Sequence, residues 1–262
     1  PPGGGVTVGE YTPGPTVPIP DPLPTAPPYN TVPVRTVTVP LTPIPVVAPD
    51  GWDEHIVGWS VNGVPIQMFV NRPADPGVVT RHRVLVISTI HGNELAMGPL
   101  AERLLRVPVP AGVQAHIVPV LNPDGWIAGR RHNARNVDLN RNFPWRWAPR
   151  DGGWAGEASE PETQAAMGVV TGTDWSVVVW LHQPLGYVAP VPPTDRRFGD
   201  AWGAAAGLPY RENLDQHGGG ETWTAKVAGK PSMLVEVDSH DARPDMLEGH
   251  AAGYAALLAL FA

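Results

Sequence analysis

The run RVLVISTIHGNELAMGPLAERLLRVPVPAGVQAHIVPV, residues 83–120, decides how this chain folds. RVLVIST (83–89) and QAHIVPV (114–120) are short apolar runs of the kind buried on both faces of a sheet. Between them LAMGPLAERLLR (95–106) reads as a helix. Strand, helix and strand in succession make a βαβ unit, which implies parallel pairing. Working outward, HIVGWSV, Asn62-Gly63 and VPIQMFV read as a hairpin, with Asn-Gly supplying the positive φ angles of a tight turn. Ser159-Glu160-Pro161-Glu162 reads as a helix start capped by Ser159, with the helix running through TQAAMGVV. WSVVVWL (175–181) and SMLVEV (232–237) are further buried strands, and a helix from about Pro244 to Leu260 closes the chain. The expectation is an α/β fold: a three-layer sandwich with a mixed, mostly parallel central sheet flanked by helices.

Residues 1–50 have a different texture. Prolines recur every few positions (PTVPIPDPLPTAPP, VPLTPIPVVAP), and the charged side chains are Glu10, Asp21, Arg35 and Asp50. Such a segment cannot be helical and favours polyproline II or isolated extended pieces. It reads as a linker or an arm that docks a protein partner, leaving 51–262 as the working domain. With 262 residues and 42% apolar composition, the chain can bury one large core. The net charge of -7 gives no electrostatic footprint for nucleic acid or anionic lipid. Cysteine is absent, which removes disulfides, thiolate zinc sites and cysteine nucleophiles together and leaves any metal site to His, Asp and Glu. No stretch approaches the ~20 consecutive apolar residues of a membrane span. The chain begins at Pro1 without a methionine and so reads as a processed or trimmed piece.

Ligands of open α/β sheets gather beyond the carboxyl ends of the strands, and those ends are polar here. His91-Gly92-Asn93-Glu94 follows one strand, Asn122-Pro123-Asp124-Gly125 another and His182 a third, while Glu236 sits inside SMLVEV. His91 and Glu94 are separated by two residues across a strand-to-helix turn, so an imidazole nitrogen and a carboxylate oxygen can reach one ion. A catalytic zinc needs three protein ligands and an open position for water, and His182 supplies the third. His55, His82, His116, His132, His217, His240 and His250 fall mostly in turns, strand interiors or the last helix, where surface or core roles fit better than ligation.

HGNE (91–94), NPDG (122–125), RHNARNVDLNRNFP (131–144), SEPET (159–163), LHQP (181–184) and VEV (235–237) together resemble the zinc carboxypeptidase family, in family order. The likeness is to its bacterial murein-peptide amidase branch. The resemblance implies a zinc peptidase domain with one Zn2+ held by His91, Glu94 and His182, and Glu236 as the general base. It implies that Arg131 polarises the scissile carbonyl, that Asn140 and Arg141 grip a substrate carboxylate, and that Asp138 orients the first ligand histidine. HGGGETW (217–223) occupies the place where family members build the specificity pocket, and Glu221 is its only anion, a candidate partner for a substrate amine. The chain departs from the family at Asn136, where glycine is usual; asparagine tolerates the left-handed backbone such a turn needs. It also has no tyrosine between Arg211 and Val235, where many members carry one, which leaves Tyr187 and Tyr210 as substitutes.

The leading expectation is therefore zinc-dependent hydrolysis of a peptide or amide bond in bacterial peptidoglycan stem peptides, near the γ-D-glutamyl to diaminopimelate link. The partner would be a cell-wall muropeptide, and the location extracellular, at the cell envelope, or on a virion tail. The competing readings are an N-acyl amino acid deacylase of the same fold and a structural or wall-binding module, such as a phage tail domain.

Overall fold

The computed structural model describes residues 46–75, 77–149, 152–153, 155–213 and 215–262. Residues 1–45, and with them nearly all of the expected proline-rich arm, lie outside the described residues. Val46 is already buried in the core, with Ala48 and Trp52 packed beside it.

A seven-stranded sheet runs in the order β1-β2-β4-β3-β5-β7-β6. Its strands are β1 (Trp52–Trp59), β2 (Pro65–Asn71), β3 (His82–Ile87), β4 (Val113–Val118), β5 (Val177–His182), β6 (Tyr187–Pro190) and β7 (Ser232–Glu236). The central pairs β4-β3, β3-β5 and β5-β7 are parallel, and the outer pairs β1-β2, β2-β4 and β6-β7 are antiparallel. This is the expected mixed sheet, with its parallel part concentrated in the middle. The helices are α1 (Met97–Leu104), α2 (Pro123–Ala128), α3 (Pro161–Thr171), α4 (Arg197–Ala206), α5 (Gly220–Lys226) and α6 (Pro244–Ala259).

The period of two along each strand sends alternate side chains into separate cores. Val84, Val86, Val177, Val179, Met233 and Val235 pack against Leu100 and Leu104 of α1, Trp202 of α4 and Tyr254 of α6. Leu85, Ile87, Val178 and Trp180 pack on the other face against Ala165 and Val170 of α3 and Trp223 of α5. Helices thus cover both faces, which completes the three layers. No described helix is long and apolar enough to cross a membrane.

Three local readings are corrected. In the hairpin, Gly63 has positive φ but Asn62 does not. The turn closes instead through Gly63 N–H to Ser60 O at 2.9 Å, and buried acids take its other amides: Val61 N–H donates to Glu162 Oε1 and Asn62 N–H to Asp124 Oδ2, each at 3.0 Å. The cap position of α3 is Glu160, not Ser159, whose hydroxyl donates to Glu160 Oε1 at 2.8 Å. HGGGETW (217–223), not read as helical from the sequence, turns helical at Gly220 and opens α5.

Candidate active site

Because β3, β5 and β7 are adjacent and parallel, their carboxyl ends open on one edge of the sheet. His182 is the last residue of β5 and Glu236 the last of β7, and the two are directly paired in register. His91 and Glu94 lie in the turn between β3 and α1. Gly92 allows that turn: a Cβ there would sit 2.0 Å from the carbonyl carbon of Gly125, so only glycine lets the two backbones touch. The NPDG motif is the other half of this contact. Asn122 Oδ1 accepts from Gly125 N–H at 2.9 Å, and its Nδ2 donates to Ile90 O and Arg131 O, both at 3.2 Å.

The ligand atoms of His91, Glu94 and His182 lie within 4.8 Å of one another, and this is the one such group of three among the described residues. All three side chains are buried. Glu94 Oε1 is 2.7 Å from His91 Nδ1 and 3.4 Å from His182 Nδ1. His91 Nε2 faces Asp138 Oδ1 at 3.1 Å. With the proton on Nε2, where the Asp138 carboxylate holds it, His91 turns the Nδ1 lone pair toward Glu94. A lone pair against a carboxylate oxygen at that distance requires a proton or a cation between them. Glu94 Oε2 and His182 Nε2 are buried without a partner among the described residues, as groups meant for something further would be. The two-nitrogen, one-carboxylate set suits zinc, the metal of the family the sequence resembles.

The electrostatics agree. Burial opposes ionisation of Glu94, but the charges and hydrogen bonds of His182 and then His91 outweigh it and pull the carboxyl down to about 2. Burial likewise opposes protonation of His182, but Glu94, and beyond it Glu236 and Glu221, push the imidazole up to about 9. In the metal-free site a proton on His182 supplies the cation that the acids demand.

The other expected residues converge on the same cavity of about 380 Å³, lined among others by Arg131, Asn140, Arg141, Glu221 and Glu236. Leu185 N–H donates to Glu236 Oε2 at 3.3 Å, and burial raises the Glu236 carboxyl above its ordinary value despite the opposing pull of His182. Asp138 holds two groups at once, accepting from His91 and from Arg131 Nε at 2.9 Å. Burial opposes its ionisation, but His91, Arg131 and Arg141 keep it far below the usual carboxylate range. The turn before it depends on Asn136, whose φ of 61° is the left-handed value expected in place of glycine. Asn140 Oδ1 accepts from Gly220 N–H at 2.7 Å, which ties the VDLNRNF segment to the start of α5. Arg141 Nη1 donates to Asn140 O at 2.7 Å. Glu221 is 2% exposed, with Oε2 unpartnered among the described residues. Of the two tyrosines, Tyr187 lines the cavity, whereas Tyr210 is 38% exposed and does not.

Sequence reasoning did not single out Gln183, which joins the ligand-bearing ends by accepting the Ala96 N–H on Oε1 at 3.2 Å. Nor did it foresee that SEPET supports the site, through Asn133 Nδ2 donating to Glu160 Oε2 at 2.8 Å and to Glu162 Oε2 at 3.2 Å. The available signal was the presence of SEPET among the stretches that resemble the family. Among the other histidines, His116 packs edge-on to Trp175 and His250 accepts from Trp202 Nε1.

Comparison with known proteins places this geometry among zinc peptidases. Residues 109–192 match the profile of the zinc carboxypeptidase family, peptidase M14. The chain is 30% identical over 222 residues to murein peptide amidase A of Vibrio campbellii, covering 77% of this chain and 85% of that one. It is 33% identical over 152 residues to murein peptide amidase A of Escherichia coli K12, where the match spans 52% of this chain and only 60% of the relative's length. The crystal structure of murein-tripeptide amidase MpaA from E. coli O157 superposes with a TM-score of 0.63 at 26% identity, covering 81% of this chain and 93% of that one. Carboxypeptidase A of Helicoverpa armigera shares the fold, with a TM-score of 0.66 at 18% identity over 80% of this chain and 69% of its own.

Zinc entering the site must displace the His182 proton, which is bound below about pH 9. Apparent zinc affinity should therefore fall as pH falls, by roughly tenfold per unit for each proton displaced, and level off above that value. Chelator-competition titrations across the neutral range check this; a pH-independent affinity contradicts it.

Proposed function

The chain belongs to the zinc carboxypeptidase family, and on that premise we propose that it is a zinc peptidase that hydrolyses an amide bond in bacterial cell-wall stem peptides, at or near the γ-D-glutamyl to diaminopimelate link. The observation that carries the reading is the pairing of Glu236 with His182 across β5 and β7, which sets a buried carboxylate of raised basicity beside the three-residue metal group. The murein peptide amidase relatives support the substrate class.

When bound, zinc supplies a Lewis acid that lowers the pKa of a coordinated water to about 7 and polarises the scissile carbonyl. His91, Glu94 and His182 would hold it. Glu236, fixed through Oε2 by Leu185 N–H, takes the proton from the attacking water and returns it to the leaving amine. Arg131 offers a cation where negative charge develops, and Asp138 aims it while setting the His91 tautomer. The planar fork of Arg141 and the amide of Asn140 receive a substrate carboxylate. Glu221, a buried acid of the same cavity whose Oε2 has no partner among the described residues, receives an ammonium group. A side chain ending in both carboxylate and amine, as diaminopimelate does, satisfies both. The same substrate class would set the working chain outside the cell, at the cell envelope, or on a virion tail that meets the wall. A protein partner for the proline-rich arm, residues 1–50, would fit any of these places.

Incubation with defined muropeptides, read by mass spectrometry, should give cleavage at this link. Glu236→Gln should keep zinc and fold and lose ~10²–10⁴-fold in turnover; a loss under about tenfold assigns the base elsewhere. Glu221→Gln should weaken cleavage of diaminopimelate peptides by about 1.5–3 kcal/mol in kcat/KM while sparing peptides with a neutral residue there. Equal losses on both would remove Glu221 from substrate choice.

A further inference from the structure

Glu236 has a neighbour on each side. In the parallel β5-β7 pairing it stands opposite His182, and in the antiparallel β6-β7 pairing it stands opposite Tyr187. Directly opposed residues share a face of the sheet with Cβ atoms about 4.5–5.5 Å apart. His182, Glu236 and Tyr187 therefore form one row across the edge of the sheet, in that order, and all line the same cavity. The carboxylate lies between the metal group and the phenol.

Tyr187 is held there from outside the cavity. The Arg211 guanidinium lies 4.9 Å from the centre of its ring, and Arg211 N–H donates to Val188 O at 2.9 Å, so the cation is anchored to the strand it covers. Among the described residues no protein group is hydrogen-bonded to the Tyr187 hydroxyl. Burial, then the charges of Glu236 and Glu221, raise its pKa, so the phenol stays a neutral donor. Packing alone would be served by phenylalanine; a phenol without a protein partner on a residue that lines a peptide-sized cavity can donate to an acceptor oxygen of whatever is bound there. Tyr210 shares the arginine but not the cavity: it is on the surface under Arg196, whose guanidinium lies 4.2 Å from its ring centre.

We infer that Tyr187 is a substrate-binding residue whose hydroxyl donates a hydrogen bond to an oxygen of the bound peptide, on the flank of Glu236 opposite the metal ligands. This rests on the peptidase reading of the site. Zinc-loaded parent, Tyr187→Phe and Tyr210→Phe proteins are compared on one diaminopimelate-containing muropeptide, with zinc content and melting temperature measured in parallel. Expected are a loss of about tenfold in kcat/KM for Tyr187→Phe, the size of one hydrogen bond, a change within about twofold for Tyr210→Phe, and unchanged zinc and melting in both. An active parent matched by Tyr187→Phe overturns the inference alone. Loss of zinc or of fold in Tyr187→Phe makes the tyrosine structural and also overturns it. A zinc-loaded parent that leaves the muropeptide intact overturns the peptidase reading, and this inference with it.

Discussion

Glu94 Oε1 lies between two imidazole nitrogens, at 2.7 and 3.4 Å, inside a buried pocket that also faces Glu221 and Glu236. Three acids and two bases gathered away from water hold together only around positive charge. A proton on His182, whose imidazole these acids push up to about 9, supplies some of it, and a divalent ion supplies more of it at one point. Much of the architecture around the sheet edge exists to tolerate this concentration of charge.

That tolerance comes from neutral amides and backbone groups. Asn122 fastens the turn that carries His91 to the start of α2; Asn133 shapes the turn that delivers Asp138 and is itself gripped by two buried acids; Asn140 fastens the same segment to α5. Asn142 completes the set by donating from Nδ2 to Gly152 O at 2.6 Å. These asparagines hold the segments without adding charge; Asn122, Asn133 and Asn142 each satisfy several buried donors or acceptors at once, and Asn140 one. The motif that identifies the family in the sequence is thus largely a motif of supports, with Asp138 the member that touches both a metal-ligand candidate and Arg131.

What could be read from the sequence followed strong local signals. The β-branched runs gave β3, β4, β5 and β7 to within a few residues, and strand ends with His and Glu located the metal group, because a parallel sheet leaves no other edge for them. The left-handed Asn136 was legible for the same reason, a local steric rule. The failures came where distant contacts override local preference. The glycines of 218–220 carry no helix signal, yet Gly218 abuts the Arg141 carbonyl and a Cβ on Gly220 would come within 2.6 Å of the Trp180 ring, so they are close-packing positions at the mouth of a helix. β6 has four residues, with Gly186 before it and Pro190 at its end, too short and too interrupted to announce itself, and with it the placement of Tyr187 beside Glu236 was hidden. Ser159 looked like a cap, but its hydroxyl is taken by Glu160.

Anomalous scattering at the zinc absorption edge from crystals grown with zinc tests the central claim most directly. One strong peak within bonding distance, about 2.0–2.2 Å, of His91, Glu94 and His182 together is the result expected. Zinc found only elsewhere on the chain, with the Glu94 carboxylate still hydrogen-bonded to the His91 and His182 imidazoles alone, would contradict the account.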